Sequence, residues 1–144
     1  MLPEARTVPR KWVLVVDDDA RIRAVWTEAL TSAGYAVVGS EDGMAALELI
    51  RDLFPDLILL DLNMPRLSGW GFLDTVRDHP HWSRIPILIV SAYLDDPDRP
   101  ITEAGLNIVG RLEKPVRLTR LIAKVRETVG PGPPAPNGPR RGPP

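Results

Sequence analysis

The chain has 144 residues, of which 44% are apolar, a length and composition that fit one globular domain with a substantial core. Its 18 Lys and Arg residues nearly balance its 19 Asp and Glu residues, so it lacks the basic excess typical of proteins that bind nucleic acid directly. The absence of cysteine excludes disulfides and thiolate chemistry. No apolar run approaches the roughly 18 residues of a membrane span. Together these properties favour a soluble, cytoplasmic protein.

Both ends of the chain differ in composition from its middle. Residues 131–144 are almost entirely Pro and Gly, which predicts a disordered tail with polyproline II character. A linker or frayed end is the simpler interpretation of this tail, and a ligand for an SH3-like groove is the alternative. Residues 1–10 are predicted to form a flexible arm, so we expect the folded domain to span residues 11–130.

Short apolar runs alternate with helical periodicities along this middle part. In chain order the pattern predicts a strand at 12–16, a helix over 22–30, a strand at 35–38, a helix at 44–53, a strand at 57–60, a helix at 70–77, strands at 85–90 and 108–112, and a helix from 118 to 129. Between the last two strands Pro97 and Pro100 leave room for a shortened helix 4 of one or two turns, which Gly105 would end.

The alternation of strands and helices determines the expected fold class. Five strands joined by right-handed crossovers form a parallel sheet covered by helices on both faces, which explains why three of the strands are apolar throughout. The predicted class is α/β, with a doubly wound five-stranded parallel sheet. In such sheets, binding sites form at the carboxyl ends of the strands.

Polar residues follow four of the five predicted strands. Taken singly, each has an ordinary structural explanation, because such residues commonly cap helices, begin turns or lie on the surface. The fold, however, brings these strand ends into one crevice. The residues are Asp17, Asp18 and Asp19 after the first strand, Asp61 after the third, Ser91 after the fourth and Lys114 after the fifth.

Electrostatics predicts what this crevice binds. Two carboxylates about 4 Å apart repel by about 4 kcal/mol at an effective dielectric near 20, so Asp17, Asp18 and Asp61 need a countercharge. Lys114 supplies one positive charge, and the available oxygen ligands favour Mg²⁺ as the source of the rest. A carboxylate beside Mg²⁺ and a lysine can accept a phosphoryl group, to which Ser91 could donate its hydroxyl.

Four motifs stand at the expected strand ends: VVDDD (15–19), DLNMPRLSG (61–69), SA (91–92) and KP (114–115). With these motifs the chain resembles a response-regulator receiver domain of bacterial two-component signalling over about residues 11 to 129. The resemblance implies a flavodoxin-like sheet with strand order 2-1-3-4-5.

The resemblance also implies a role for each residue of the motifs. Asp61 would be the phosphoacceptor. Asp18 would bind Mg²⁺ directly, Asp17 mostly through water, and Asn63 through its backbone carbonyl.

Further roles follow from the remaining motifs. The hydroxyl of Ser91 would move onto the phosphoryl group, and Lys114 would pair with it. Pro115 would follow Lys114 in a peptide that the family often holds in cis, and Gly69 fits the glycine that starts the family's third helix. His79 and His81 are expected in a loop away from this site, with a structural or incidental role.

The function implied is that of a signalling switch. A sensor histidine kinase or phosphotransfer protein would donate to Asp61, and the phosphorylated domain would bias the face formed by helix four, strand five and helix five toward an unknown downstream protein. The chain would assist its own phosphorylation and dephosphorylation without turning over an external substrate. It would act as a monomer or a phosphorylation-linked dimer, without direct contact with nucleic acid or membrane.

Two departures from the family pattern concern the output side. Arg111 stands where the family usually has an aromatic switch residue, and the spacing before Lys114 is longer than usual. The proline-containing segment between strands four and five is expected to be mobile, and we hypothesise that signalling depends on its ordering.

Two other functions compete with this interpretation. The first is a receiver-like binding module that signals without phosphorylation. The second is a phosphohydrolase with an aspartate nucleophile, but the chain lacks a cap domain, and Leu62 and Asn63 follow Asp61 where such enzymes have a DxD pattern. No effector domain follows residue 130, so we expect a stand-alone regulator, or a fragment whose remainder begins after the tail.

Overall fold

The computed structural model describes residues 10–133 of the chain. Nearly all of the predicted arm and residues 134–144 of the predicted tail lie outside this range. Within it no helix is long and apolar enough to cross a membrane. The elements are β1 (Trp12–Val16), α1 (Ala20–Ser32), β2 (Ala36–Ser40), α2 (Gly43–Leu53), β3 (Leu57–Leu60), α3 (Gly69–Arg77), a 3-10 turn (Trp82–Arg84), β4 (Pro86–Ser91), β5 (Asn107–Glu113) and α4 (Leu118–Val129).

The five strands form one parallel sheet in the order β2-β1-β3-β4-β5. This confirms the predicted α/β class, the doubly wound arrangement and the strand order. The bounds of β2 were predicted less well, because β2 begins at Ala36 and reaches Ser40. Its length follows from pairing with the whole of β1, from Trp12 opposite Ala36 to Val16 opposite Ser40.

Two apolar cores lie on opposite faces of the sheet. Alternate residues of β1 point to different faces, so Leu14 packs with α2 and α3, while Val13 packs with α1 and α4. All four residues of β3 are buried. Since burying one such aliphatic side chain contributes about 1.5–3 kcal/mol, the central strands are held firmly in place.

Side-chain caps fix the starts of three helices. Asp19 accepts hydrogen bonds from the first turn of α1, Asp42 caps α2, and Ser68 caps α3. Helix α2 ends at Leu53, as predicted from Pro55, which cannot continue a helix. These helices begin at the same edge of the sheet as the strand ends, because each of them follows a parallel strand.

The shortened helix 4 predicted between β4 and β5 needs a correction. Residues 92–106, all within the described range, contain isolated turns and no helix. Pro97 and Pro100 lack an N–H donor, and each disfavours helical backbone in the residue before it. The carboxylate of Asp96 accepts the N–H of Asp98 at 2.9 Å, a local bond that competes with helix formation.

This β4–β5 connection is attached to α3 instead. The indole N–H of Trp70 donates to the carbonyl of Arg99 at 3.0 Å, and the Arg99 guanidinium lies 3.9 Å from the centre of the Trp70 ring. Arg77 donates to the carbonyls of Thr102 and Ala104 at 2.5 and 2.9 Å. Side chains of α3 therefore supply the hydrogen bonds that a helix would have made within itself.

The two departures noted in the sequence have structural counterparts in β5. The register against β4 shifts so that Ile108 faces Ile87 while Gly110 faces Leu88, and the residue between them forms a bulge. The bulge accommodates the longer spacing before Lys114. Arg111 forms an ion pair with Glu103 and so ties β5 to the connection.

Candidate functional site

The predicted site residues meet at the carboxyl end of the sheet. Asp17 follows β1, Asp61 follows β3, Ser91 ends β4 and Lys114 follows β5. The parallel ladder continues one step beyond the strands, because Asp61 N–H donates to Val16 at 2.9 Å and Lys114 N–H donates to Ser91 at 3.1 Å. The sheet itself therefore positions these residues.

Lys114 bridges the two buried carboxylates. Its Nζ lies 2.6 Å from Asp17 Oδ2 and 3.3 Å from Asp61 Oδ2. The second oxygen of each carboxylate accepts a backbone N–H, from Asp19 at 2.9 Å and from Leu62 at 2.8 Å. Each carboxylate is thus held on both sides, and Asp17 is completely buried.

The burial of this pair changes the pKa of both partners. Burial raises the pKa of Asp17, and the hydrogen bond from Lys114 opposes that rise without cancelling it. Burial also acts to lower the pKa of Lys114, but the hydrogen bond and charge of Asp17, assisted by Asp61, raise it above the usual value. The lysine is therefore positively charged at neutral pH.

The acidic residues fit a hard divalent cation. Asp17, Asp18 and Asp61 each offer a carboxylate oxygen, and these oxygens lie within 4.8 Å of one another. Asp18 is exposed and opens the cluster to solvent. Oxygen donors suit Mg²⁺ or a similar ion, and a single lysine does not neutralise three carboxylates. Asn63 lies two residues beyond Asp61 in an exposed part of the β3–α3 loop.

Ser91 lies beside this cluster as the last residue of β4. It is completely buried, and its Oγ accepts the N–H of Tyr93 at 3.2 Å. Its backbone carbonyl accepts the N–H of Lys114. Ser91 therefore joins the site to the first residues of the β4–β5 connection.

Two residues of the motifs, Pro115 and Gly69, shape the loops around the site. The Lys114–Pro115 peptide is cis, as the resemblance implied. Gly69 packs directly against the chain at Asp61, where a Cβ would lie 2.4 Å from the Asp61 carbonyl oxygen. Only glycine fits this close approach without moving the backbone.

The histidines have structural contacts, as expected. Nδ1 of His79 accepts the backbone N–H groups of His81 and Trp82, each at 3.2 Å, and the His79 ring stacks on Trp82. Neither histidine belongs to the acidic cluster.

Sequence reasoning missed two contributions from α1. Arg23 donates to the carbonyl of Asp17 at 2.7 Å, and the Trp26 ring lies 5.9 Å from Lys114 Nζ. An apolar cavity of about 450 Å³ beside Lys114 is lined by Trp26 together with Ile22, Ala92, Pro115 and Val116. The apolar repeat predicted the helix, but it did not show that Arg23 and Trp26 adjoin the site.

Comparison with known proteins gives one consistent result. The profile of the response regulator receiver domain matches residues 13–126. The probable transcriptional regulator ycf27 of Guillardia theta is 38% identical over 114 residues, which cover 79% of this chain and 43% of that protein. The chain thus spans about half the length of the curated ycf27 relatives.

Two further matches are to proteins that are only slightly longer than the region they share with this chain. The polar-differentiation response regulator DivK of Brucella ovis is 26% identical, with 83% of this chain and 97% of that protein covered. The solved structure of the chemotaxis protein CheY4 of Vibrio cholerae has a TM-score of 0.74 and 29% identity, and the match covers 83% of this chain and 99% of that one.

Replacing Lys114 tests the electrostatics of the cluster. We expect Lys114→Met to lower the free energy of unfolding by about 3 kcal/mol near neutral pH, because it leaves two buried carboxylates without the lysine ammonium group that pairs with them. The folded-state pKa of Lys114 is raised, so its contribution is fully present below the unfolded pKa of about 10.5 and is lost as pH rises through the folded value.

Urea unfolding at about pH 8 and about pH 11 measures this effect, and the difference between wild type and variant should narrow at the higher pH. Lys124→Met is the control, since Lys124 pairs with Glu127 on the surface and its loss should cost less than about 1 kcal/mol. Similar losses for the two variants would contradict the account.

Proposed function

Because the chain belongs to the response regulator receiver domain family, we propose that it is a switch that accepts a phosphoryl group on Asp61 in a Mg²⁺-dependent reaction. The observation that carries this proposal is the position of Asp61, which is buried within the acidic cluster with its Oδ2 3.3 Å from Lys114 Nζ. We assign the donor as a sensor histidine kinase or phosphotransfer protein, and the output as contact with a downstream protein.

The hydrogen bonds of Asp61 suggest how it would react. Leu62 N–H holds Oδ1, so Oδ2, on the Lys114 side, is the oxygen we assign as the nucleophile. The bond from phosphorus to the donor histidine nitrogen would break as the bond from phosphorus to Oδ2 forms. Lys114 would then contact a phosphoryl oxygen, and the hydroxyl of Ser91 would donate to another.

The charge of the acidic cluster supports the proposed requirement for a cation. Asp17, Asp18 and Asp61, with the backbone carbonyl of Asn63, are the groups we assign to Mg²⁺. When bound, Mg²⁺ supplies positive charge that neutralises the carboxylates and the oxygens of the transferred group. With Lys114 alone the site stays negative and would repel an anionic phosphoryl donor.

The apolar surface next to Lys114 supports a protein donor. A donor that carries its phosphohistidine to Asp61 must cover the rim of the site. That rim includes the cavity beside Trp26, which Lys114 lines together with mostly apolar side chains. We assign this surface to the donor, because burying apolar side chains favours association.

Intact mass spectrometry tests the acceptor assignment. Incubation with acetyl phosphate and Mg²⁺ should add one phosphoryl group to the wild type. It should add none to Asp61→Asn or to wild type without metal, because one lacks the nucleophile and the other the neutralising charge. A folded wild-type protein that gains no mass would favour the alternative function, a receiver-like module that signals without phosphorylation.

Ser91 gives the proposed switch a route to the face formed by the β4–β5 connection, β5 and α4. Its hydroxyl would move toward the phosphoryl group, and the residue directly precedes the β4–β5 connection. That connection is held by Trp70 and Arg77 of α3 and by the Glu103–Arg111 ion pair. Movement of Ser91 would therefore alter the packing of residues 92–106. We propose that ordering of this connection carries the signal.

Hydrogen exchange measures that ordering. A phosphoryl mimic bound with Mg²⁺ should increase amide protection within residues 92–106 of the wild type, whereas Asp61→Asn should show no such increase. Exchange in β2, the edge strand farthest from the connection in the sheet, serves as the internal reference. Equal protection of the connection with and without the mimic would refute this route.

A further inference from the structure

The loop that carries Asp61 is anchored at both of its ends. Asp61 N–H donates to β1, and Gly69 N–H donates to the carbonyl of Leu62 at 2.8 Å. Leu62 and Met64 are buried in the core on the α2 and α3 face of the sheet. Asn63 lies between these two buried residues and is exposed. Its position therefore depends on how the rest of the loop is held.

The middle of the same loop is attached to the start of α2. Arg66 has a left-handed backbone with φ of 62°, a conformation that side chains other than glycine rarely adopt. Its Nε donates to Asp42 Oδ2 at 2.5 Å, and Nη2 contacts the same oxygen. The carbonyl of Leu67 accepts the N–H of Gly43 at 3.0 Å. One ion pair and one backbone hydrogen bond thus hold the loop against α2.

Asp42 is a rigid partner for this arginine. It is buried, it accepts the N–H of Ala45 at 2.9 Å, and its carbonyl accepts the hydroxyl of Ser40 at 2.9 Å. Burial acts to raise the pKa of Asp42, but the hydrogen bonds from Ala45 and Arg66 outweigh it and lower the pKa. Asp42 is therefore an ionised carboxylate in a fixed position.

Helix capping does not by itself require the arginine. Within residues 10–133, Asp19 and Ser68 cap their helices without an ion pair to a basic residue. The ion pair between Arg66 and Asp42 is therefore an interaction beyond the cap itself. The structural element that it constrains directly is the loop, which holds Asp61 and Asn63.

We propose that Asp42 and Arg66 are positioning residues for the cation site, because their ion pair fixes the loop that presents Asp61 and Asn63. This inference rests on the proposed function, since it concerns the Mg²⁺ assigned to that site. Groups that hydrogen-bond a metal ligand typically change metal affinity by about 10- to 100-fold when removed, and the lower end applies to this pair because it acts on the ligands through the loop. Loss of the pair should therefore weaken Mg²⁺ binding about 10-fold.

A double-mutant cycle on Mg²⁺ affinity tests the proposal. Asp42→Asn keeps a residue that caps helices well but removes the charge, and Arg66→Ala removes the guanidinium. Isothermal titration of Mg²⁺ into the full chain should give a dissociation constant about 10-fold higher for each single variant and for the double variant. Arg66→Lys should recover part of the affinity.

Two further variants separate positioning from stability. Arg66→Gly removes the guanidinium while relieving the left-handed backbone, so it should weaken Mg²⁺ binding without a matching loss of stability. Arg51→Ala, on the exposed end of α2, should leave the affinity unchanged. These variants are compared with wild type at a temperature where circular dichroism shows all of them folded.

The possible outcomes are distinct. An unchanged dissociation constant in folded Arg66→Ala and Arg66→Gly would overturn the inference, as would effects of the two single variants that multiply in the double variant. If the wild type itself bound no Mg²⁺, the proposed function would fail, and this inference would fail with it.

Discussion

Repulsion among three carboxylates at the end of the sheet is the constraint on which the rest of the structure depends. Asp17, Asp18 and Asp61 lie close together, and two of them are buried. Each pair of charges about 4 Å apart costs about 4 kcal/mol at an effective dielectric near 20. Lys114 and two backbone N–H groups offset part of this cost. The remaining negative charge makes the site suited to a cation.

The apolar strands keep this unfavourable cluster in place. β1 and β3 are buried between helices on both faces, so the residues that follow them cannot move apart to relieve the repulsion. The loop after Asp61 is fixed in turn by Gly69 and by the Asp42–Arg66 ion pair. These contacts hold the three carboxylates close together although their mutual repulsion opposes this arrangement.

The sequence predicted the parts of this structure that depend on local pattern. The bounds of β1 and β3 and the end of α2 match the apolar runs and Pro55, since burial and proline sterics act over a few residues. The meeting of Asp17, Asp61 and Lys114 was predictable because parallel topology brings strand ends together. These residues also form the family's motifs.

Other features depended on contacts between distant segments. The Asp42–Arg66 pair joins residues 24 positions apart, and no spacing rule indicates it. Between β4 and β5 the sequence predicted a shortened helix, whereas the structure has none. The sequence does not show that Trp70 and Arg77 donate hydrogen bonds to backbone carbonyls of the connection. The bulge that accommodates the longer spacing before Lys114 likewise depends on register with β4.

The most direct test of the carboxylate account is the thermal stability of neighbouring variants with and without Mg²⁺. Asp18→Asn removes a carboxylate of the cluster, whereas Asp19→Asn keeps a good cap for α1 and leaves the cluster intact. At about 100 times its dissociation constant, Mg²⁺ should stabilise wild type and Asp19→Asn by about 2.7 kcal/mol and raise their melting temperatures. Asp18→Asn should show little or no increase. An equal response in all three proteins, or none in any, would contradict the assignment of the cluster as a cation site.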